Sequence, residues 1–545
     1  MAKAKKKPTP DNLAKAETPP FDLRIERWIP VVRLDGIRDE LNLVDALLQA
    51  PQLREISDPL PTVEFGLYRL LVALVLDIFA PDGLTGLRDL RATGSFDETR
   101  VRKYLFEKYG DRFDLFHREF PFLQSPGMDD ETAKPLAGLL HPIPSGTNAN
   151  HFHHAHESDF GVCPSAAARL LTTIAPFTTA GGAGLSPSIN GSPPWYVLPR
   201  GRNLFETLCL NVPADLGLFR YAVERSSPAW GRTKPVTPDR RTEAGLVESL
   251  TWQPRRIQLL AGESGTCSLS GRESQTLVRT MHFTAGFGAG FPWTDPNAGY
   301  VFRSDDIGIM RPQEDRAVWR DTGPLLLLRQ ADYSSEDGKI RFERPAVVTQ
   351  FVTMLRDRRI QRSDLKDVVA YGMRTDMKMK VFEWQRETLS LPQALEWGSM
   401  FLGAAQSEIQ RADGVAYALK QAVKRAYPRD GAGNSNAYGN LIVCVQNDFW
   451  NALHPCFNDL LEAISQSADD ASKLAASTQW RKRVESAAWR SLDDGIDDLD
   501  NDSDAIERVA NARRSFAFKL KSLLFPELIE QAKARKKKAA KATAS

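Results

Sequence analysis

The chain is 545 residues long, too long for one ordinary hydrophobic core, so we expect two or three domains. Hydrophobic residues make up 42% and charged residues 26%, which excludes disordered and fibrous classes. The net charge of +2 is uneven, because residues 1–20 carry +3 and residues 526–545 carry +4, leaving −5 for the body. Basic ends of this kind could contact phosphates, but their composition favours solvated tails.

The cysteines and the aliphatic runs bear on the compartment. Five cysteines are scattered along the chain, their number is odd, and no signal peptide precedes them, so a reducing cytoplasm is expected. The longest aliphatic run, Leu70–Leu76, is far shorter than the ~20 residues that span a bilayer. The sequence therefore predicts no transmembrane helix and no membrane partner.

The first part of the chain mixes strand and helix signals. Residues Phe21–Val32 alternate and are rich in Ile, Val and Trp, which predicts an opening strand. Residues Val63–Ala80 read as a buried helix that follows Pro61 and stops at Pro81-Asp82-Gly83. Residues 100–385 combine short elements with many Gly and Pro residues and show no repeat period.

Beyond about Leu391 the short elements give way to long amphipathic segments, in which apolar residues recur at helical spacing. About four helices are counted there, enough for a bundle. The predicted fold class is α+β, a large irregular mixed N-terminal domain followed by a C-terminal four-helix bundle. The predicted boundaries are 1–20 for a disordered basic tail, 21–388 for the mixed domain, 389–526 for the bundle and 527–545 for a second basic tail.

A glycine-rich loop, Thr178–Ser186, interrupts the mixed region, and glycines without a Cβ let a backbone approach a groove or a phosphate closely. Phosphate-loop, HExxH and GxSxG motifs are missing from the sequence. The sequence therefore offers no convincing catalytic centre, and no cofactor is predicted.

A cluster of histidines suggests an alternative, catalytic function. Five of the eight lie between His141 and His156, a density that suggests a metal-dependent nuclease or hydrolase using the cluster His151, His153, His154 and His156. On an extended segment these four side chains divide between two faces, so a closed site would need further ligands. A metal site is therefore the less favoured interpretation.

A basic and aromatic segment, Gly372–Trp384, suggests a positively charged hairpin or helix start. The alternative is a solvated face that flanks the core residues Val381, Phe382 and Trp384.

Eight short segments share their order and spacing with a known family. They are Glu26–Val31, Phe120–Gln124, Thr147-Asn148, Gly181-Gly182, Arg200-Gly201, Leu210–Val212, Trp252–Pro254 and Gly372–Trp384. Together with the helical end they resemble the large-subunit (CasA) family of the type I-E CRISPR surveillance complex Cascade. The match spans about residues 21–525.

The resemblance implies a subunit that does no chemistry. It would recognise the protospacer-adjacent motif (PAM) of duplex DNA from the minor groove, promote duplex opening and R-loop formation, and recruit the helicase-nuclease, while guide-RNA pairing reads the sequence. The implied partners are the guide crRNA, double-stranded target DNA, the helicase-nuclease and the other Cascade subunits, namely the backbone, small and crRNA-end-binding subunits.

Three DNA-contacting features of the family map onto this sequence. The glycine loop corresponds to Gly181 and Gly182. The family's lysine finger has no lysine here between Pro235 and Gly338, which leaves Arg279 or His282 as substitutes. A wedge that parts the first base step corresponds to Arg374, Asp376, Met377 and Lys378; Met377 either inserts between bases or packs inward.

Other positions follow from the same resemblance. A loop that reaches the guide-RNA 5′ end and neighbouring subunits corresponds to Thr147, Asn148, His151, Phe152 and His153. Family members with zinc keep two CxxC pairs, whereas here Phe160 precedes Cys163 and Ser270 follows Cys267, so zinc is not expected.

The bundle is implied to lie along the target DNA. Seven cations could contact phosphates, although solvation is the simpler role for each: Arg411, Lys420, Lys424, Arg425, Arg481, Lys482 and Arg483. A further alternative is a scaffold that binds only protein partners through the bundle and the tails.

Overall fold

The structure is a computed structural model. It describes residues 20–140, 160–181, 184–221, 224–303, 306–313, 320, 325, 331–335, 338–375, 381–389, 399–427, 435–467, 469–499 and 503–527. The chain divides into two compact units. The first takes in residues up to 194, 200–295 and 371–386, and the second takes in 195–199, 296–370 and the chain from 387 onwards. The boundaries proposed at 388 and 526 remain predictions.

The first 295 residues contain eight α-helices and eleven β-strands within the described ranges, most of them short. The helices are α1 (Leu43–Leu48), α2 (Pro61–Phe79), α3 (Gly83–Ala92), α4 (Glu98–Arg102), α5 (Pro164–Leu171), α6 (Ile174–Phe177), α7 (Leu204–Asn211) and α8 (Leu246–Leu250). The strands are β1 (Ile29–Arg33), β2 (Arg38–Leu41), β3 (Leu53–Ile56), β4 (Ala133–Pro135), β5 (Tyr196–Gly201), β6 (Arg240–Arg241), β7 (Arg255–Ala261), β8 (Gly265–Thr266), β9 (Glu273–Ser274), β10 (Val278–Ala285) and β11 (Gly288–Ala289).

Helix α2 runs through the core of the first unit. Pro61 suits its first turn, and every residue from Thr62 to Phe79 except Asp77 is buried. The helix ends where Ala80 adopts a left-handed conformation with φ of 41°. The predicted helix over Val63–Ala80 is confirmed, with an earlier start. A helix that is apolar on all sides must be surrounded, and α2 packs against α5, α6, α7 and α8.

The predicted opening strand is only partly right, because β1 begins at Ile29. Residues before it turn instead: the Asp22 carboxylate accepts hydrogen bonds from the backbone N–H of Arg24 and from its guanidinium, at 2.9 and 2.8 Å. Such local side-chain bonds compete with strand pairing. Strand β1 then lies between β2 and β3 in an antiparallel sheet.

Three further small sheets belong to the first unit. In the largest, β10 lies between β4 and β7 and runs antiparallel to both, with Ala285 opposite Arg255 and Val278 opposite Ala261. Strands β6 and β11 pair in parallel, and β8 pairs with β9. These sheets carry the candidate site.

The remaining elements include the long helices. They are β12 (Tyr300–Arg303), β13 (Asp306–Ile309), β14 (Ala331–Ser335), β15 (Gly338–Glu343), α9 (Ala346–Arg356), β16 (Leu365–Thr375), β17 (Val381–Leu389), α10 (Ser399–Ala426), α11 (Ser435–Gln466), α12 (Asp470–Ile496) and α13 (Ser503–Leu524). One sheet has the order β13-β12-β15-β14, and another has the order β17-β16-β5.

Helices α10–α13 pack as a bundle, which confirms the predicted fold class of an α+β region followed by helices. Helix α10 contacts α11, α12 and α13, and α11 also packs along α12. The buried residues include Val415, Leu419, Phe449, Leu453 and Phe516. None of the helices in the described ranges is long and apolar enough to cross a membrane.

Candidate nucleic-acid interface

The glycine loop, Thr178–Ser186, leaves helix α6 and closes on itself. The Ser188 N–H donates to the Thr178 carbonyl at 2.8 Å, and the Gly181 N–H donates to the Leu185 carbonyl at 3.4 Å. Gly184 has φ of +80°, a conformation that side chains other than glycine rarely adopt. Gly182 lies outside the described residues. These two hydrogen bonds hold the ends of the loop together.

Arg255 joins the two ends of the glycine loop. Its Nη2 donates to the Thr179 carbonyl at 2.7 Å, and its Nη1 donates to the Ser186 carbonyl. The side chain is buried, which lowers the pKa of its guanidinium to about 10, so the group stays charged at neutral pH. Arg255 directly follows the motif Trp252-Gln253-Pro254. Its hydrogen bonds therefore join this motif to the glycine loop, which is distant in sequence.

A second arginine lies beside this loop on the two-residue strand β6. A Cβ built on Gly288 would lie 3.0 Å from Ser186 Oγ and 3.8 Å from the Cα atom of Arg240, so the two residues flank the same glycine. Arg240 is exposed. Among the described residues its side chain has no hydrogen bond or ion pair. Arg240 is therefore a free cation at the loop, and sequence reasoning missed it.

The predicted finger residues lie elsewhere. Arg279 is exposed on β10, and a Cβ on Gly161 would meet its guanidinium at 2.9 Å. It is six residues from Ala285, which pairs with Arg255, so about 20 Å of strand separates it from the loop clamp. His282 is only 7% exposed, and its Nδ1 has no partner among the described residues. The structure does not bring these two residues to the glycine loop.

The segment after the glycine loop is fixed from the core. Asn190 Nδ2 donates to Asp295 Oδ2 at 2.8 Å, and the buried Arg69 on α2 pairs with the same carboxylate oxygen at 2.7 Å. Arg69 also donates to the Leu250 carbonyl at 3.0 Å. A carboxylate that is paired and hydrogen-bonded in this way tolerates burial. The glycine loop is thereby anchored on both sides.

Strands β16 and β17 confirm the predicted hairpin. Arg374 pairs with Glu383 at 3.2 Å, and its guanidinium carbon lies 4.7 Å from the ring centre of Phe382. Phe382 is 51% exposed and Trp384 is 37% exposed, so the alternative that these aromatics belong to the core is wrong. Asp376, Met377 and Lys378 lie outside the described residues.

A buried carboxylate anchors this hairpin to α2. The Tyr371 hydroxyl donates to Glu64 Oε1, and Arg386 Nε donates to the same oxygen at 2.9 Å. Burial raises the pKa of Glu64, although Arg386 and Tyr371 act in the opposite direction. One acidic side chain thus holds both strands.

The segment Phe120–Gln124, one of the eight that resemble the family, forms a turn that is hydrogen-bonded to the rest of the first unit. Gln124 Nε2 donates to the Leu115 carbonyl at 2.7 Å, and Gln124 Oε1 accepts the Leu259 N–H at 2.7 Å. Leu123 has φ of 54°, an unfavourable conformation for a leucine. These bonds tie the turn to β7, the strand that begins with Arg255.

The two incomplete cysteine motifs come together in the structure. Cys163 and Cys267 lie together, with Phe160 and Ser270 at the other positions of the two motifs. Two thiols, an aromatic ring and a hydroxyl do not fit a four-thiolate zinc site. No group of three or more His, Cys, Asp or Glu residues within the described ranges could hold a metal. The histidine cluster and the loop residues Thr147, Asn148, His151, Phe152 and His153 lie outside those ranges.

Several cations of the bundle already have protein partners. Arg481 pairs with Glu408 at 2.6 Å, Arg483 pairs with Asp459 at 2.6 Å, and Arg411 donates to the Leu523 carbonyl at 2.7 Å. Lys424 and Lys482 are exposed. These two lysines are better placed than the paired arginines to contact a phosphate.

This architecture defines a class of proteins: a mixed α+β region built of several small sheets, followed by a bundle of four long helices. The sequence model of one family, described as CRISPR-associated protein Cse1, matches residues 22–491. The chain belongs to this family.

Individual relatives agree with that assignment. The CRISPR-associated protein CasA/Cse1 of Thermus thermophilus is 31% identical over an alignment of 332 residues, and the match covers 56% of this chain and 60% of that relative. The crystal structure of Thermobifida fusca Cse1 has a TM-score of 0.73 at 20% identity, covering 93% of this chain and 98% of that one. A chain of a CRISPR RNA-guided surveillance complex has a TM-score of 0.71 at 18% identity, covering 92% and 100%.

Proposed function

We propose that this chain is the non-catalytic large subunit of a CRISPR RNA-guided surveillance complex, and that it recognises the PAM of duplex DNA from the minor groove. Membership of the Cse1 family supports this proposal, as does the shared fold with a chain of a solved surveillance complex. In this function the protein would recognise a short motif that flanks the target, and the guide RNA would recognise the target sequence by base pairing.

One observation carries the proposal, the clamped glycine loop with an exposed arginine beside it. Arg255 binds the carbonyls of Thr179 and Ser186 near the two ends of the loop, and a glycine backbone, which has no Cβ, can approach base edges closely. The minor groove offers a degenerate code, which suits reading by a backbone. Arg240, which has no partner among the described side chains, would contact an adjacent phosphate in the role of the family's lysine finger.

The other contacts that we propose rest on the resemblance to the family. The hairpin of β16 and β17 would help to open the duplex and so promote R-loop formation, with Arg374 next to the end of β16 that leads to the connection with β17. The segment Thr147–His153 would contact the guide crRNA and the neighbouring backbone, small and crRNA-end-binding subunits. Lys424 and Lys482 would contact target-strand phosphates, and the assembled complex would recruit the helicase-nuclease.

The test uses the full chain reconstituted with guide RNA and its partner subunits. Affinity is measured for duplexes that share one target but differ in the flanking motif, at several salt concentrations. Arg240→Ala is expected to weaken binding to all motifs and to reduce the salt slope by about 1, because one phosphate contact is lost. Gly181→Ala is expected to reduce discrimination between motifs, because its methyl group obstructs the backbone approach.

Matched variants separate these effects from general damage. Arg279→Ala removes an equally exposed arginine from the same unit, and Gly439→Ala changes a helical glycine whose Cβ would meet no atom within 4 Å. Both should bind as the unmodified chain does. The loop assignment is refuted if Arg279→Ala reproduces the loss while Arg240→Ala leaves the salt slope unchanged. Failure of the chain to join any guide-RNA complex would refute the function itself.

A further inference from the structure

Two cysteines that are far apart in sequence meet in the first unit. Cys163 is the residue that caps the start of helix α5, and Cys267 follows the two-residue strand β8. Both are free thiols, and each hydrogen-bonds to the other through its sulfur. The proposed DNA-binding role makes no use of this pair.

Backbone hydrogen bonds hold the two segments in register. The Ser268 N–H donates to the Gly161 carbonyl at 2.8 Å, and the Gly161 N–H donates to Ser268 Oγ at 3.1 Å. Val162 and Val278 exchange two further backbone bonds at 3.0 and 2.8 Å. The sulfurs are therefore brought together by the fold, without a covalent link.

The surroundings of the sulfurs favour a shared proton. Hydrogen bonds from the Cys163 thiol, and from the side chain and backbone of Ser270, hold the pKa of Cys267 well below its ordinary value. The bond that Cys163 donates raises its own pKa. The lowered pKa favours the thiolate form of Cys267, and a thiolate is the nucleophilic form of cysteine.

We propose that Cys163 and Cys267 form an oxidative modification site, at which a small two-electron oxidant such as hydrogen peroxide converts the two thiols into a disulfide. A thiolate sulfur attacks one peroxide oxygen, so that an S–O bond forms as the O–O bond breaks and one water leaves. The second sulfur, which has given its proton to the first leaving hydroxide, then attacks the sulfenic sulfur, so that the S–S bond forms as the S–O bond breaks. The hydroxide that leaves takes a proton from the solvent and becomes the second water. Two electrons pass from sulfur to oxygen.

An oxidant reaches this pair through Cys163, which is half-buried, because only 1% of the surface of Cys267 is exposed. Cys209 is also buried, and the groups that shift its pKa, Arg91 and Glu206, include no second cysteine. Cys444 is exposed on α11. A cross-link at Cys163 would tie the start of α5 to the end of β8, and α5 and α6 lead directly into the glycine loop.

The experiment treats the full folded chain with stoichiometric hydrogen peroxide and then blocks the remaining thiols with iodoacetamide. Intact mass and non-reducing peptide mapping identify the product. We expect a loss of two hydrogens and a peptide joining Cys163 to Cys267, both reversed by dithiothreitol. Cys163→Ser and Cys267→Ser should each abolish the joined peptide, and Cys444→Ser should leave it unchanged.

Two other results would overturn the inference. In one, both thiols stay free for alkylation after Cys444 has been oxidised, which would show that the pair does not react. In the other, joined peptides contain Cys444 or Cys456 and persist in Cys163→Ser, which would show intermolecular cross-linking. Circular dichroism of the serine variants, compared with the unmodified chain, establishes that a missing product does not come from unfolding.

Discussion

Arg255 donates to the Thr179 carbonyl across 76 positions of sequence, at 2.7 Å, and this bond fixes the start of the glycine loop. The same guanidinium reaches the carbonyl of Ser186 at the loop's other end. A planar guanidinium has donors that diverge, so it can bridge two acceptors, whereas a lysine ammonium is a single point of attachment. The shape of the loop therefore depends on a residue outside it.

Arg255→Lys should loosen the glycine loop without unfolding the chain. At least one of the carbonyls of the half-buried residues Thr179 and Ser186 loses its charged donor, which costs about 1.5–3 kcal/mol of stability. We expect faster hydrogen exchange in residues 179–188 and poorer discrimination between flanking motifs in the reconstituted complex. Urea unfolding, exchange mass spectrometry and the binding assay measure these three effects.

Arg272→Lys is the matched control, because Arg272 is an exposed arginine of the same unit whose contact is a surface ion pair with Glu40. Surface pairs of this kind contribute about 0–1 kcal/mol. If Arg255→Lys and Arg272→Lys give equal exchange rates in the loop, the clamp has no organising role.

The exposed aromatics of the hairpin should act on DNA and not on the fold. Phe382→Ala and Trp384→Ala are each expected to change the free energy of unfolding by less than about 1 kcal/mol, since neither ring is buried. Each should weaken binding to a target with an unpaired flank by about 1–3 kcal/mol if the ring stacks on a base. Affinity for fully paired and partly unpaired duplexes provides the measurement.

Tyr417→Ala is the control for these two variants, because Tyr417 is a 62% exposed aromatic on the bundle helix α10. Equal losses from Tyr417→Ala would indicate a non-specific effect of removing surface aromatics. A large loss of stability in Phe382→Ala would contradict the exposed placement of the ring.

The long elements were predictable because each carries many residues with one period. Helix α2 and the bundle helices have enough apolar positions for the helical spacing to stand out. The strand predicted from Phe21 failed over its first eight residues because a single carboxylate, Asp22, turns the backbone locally. That competition depends on side-chain geometry, which alternation of residue types does not encode.

The candidate site was less predictable for three physical reasons. Arg240 lies on a two-residue strand, too short to show any period. The partners of Arg255 are distant backbone carbonyls, which have no sequence signature. Phe382 and Trp384 alternate on a strand in the way that core residues also do, and only the tertiary structure shows that both rings stay exposed.

The hairpin anchor should respond to pH once its arginine is removed. Arg386→Met leaves the buried Glu64 without a cation, so its already raised pKa rises further. A carboxyl whose folded pKa exceeds its unfolded value favours folding below that unfolded value, ordinarily 4.5, and loses this contribution as the pH rises through the folded pKa. The deficit of Arg386→Met against the unmodified chain should therefore be small at pH 4 and about 2 kcal/mol at pH 7.

Unfolding by urea at several pH values tests this dependence, with Arg386→Lys as the control that keeps the charge. Arg386→Lys should show a smaller deficit and a flatter pH profile. A deficit of Arg386→Met that is constant with pH would indicate lost packing in place of an unpaired carboxylate.

The bundle contains a buried ion pair, and removing one of its two charges should lower the free energy of unfolding because the other charge stays buried without its partner. Arg481 and Glu408 are 9% and 3% exposed, and the hydrogen bonds between them raise the pKa of Arg481. Arg481→Met strands the Glu408 carboxylate and should cost about 3 kcal/mol, the lower end of the range for buried pairs, because Arg411 lies 3.6 Å from it. The double variant Arg481→Met/Glu408→Met should recover most of this loss, since two apolar side chains replace two desolvated charges.

Arg483→Met provides the comparison from the same helix, because its partner Asp459 is exposed and the change should cost less than about 1 kcal/mol. Urea unfolding of these variants, with Glu408→Met added, completes the cycle. A double variant no more stable than Arg481→Met would show that the pair stabilises the bundle by its own attraction. Recovery would show that the charges are tolerated there, so that Arg481 serves the packing of α10 against α12 and is withdrawn from any contact with DNA.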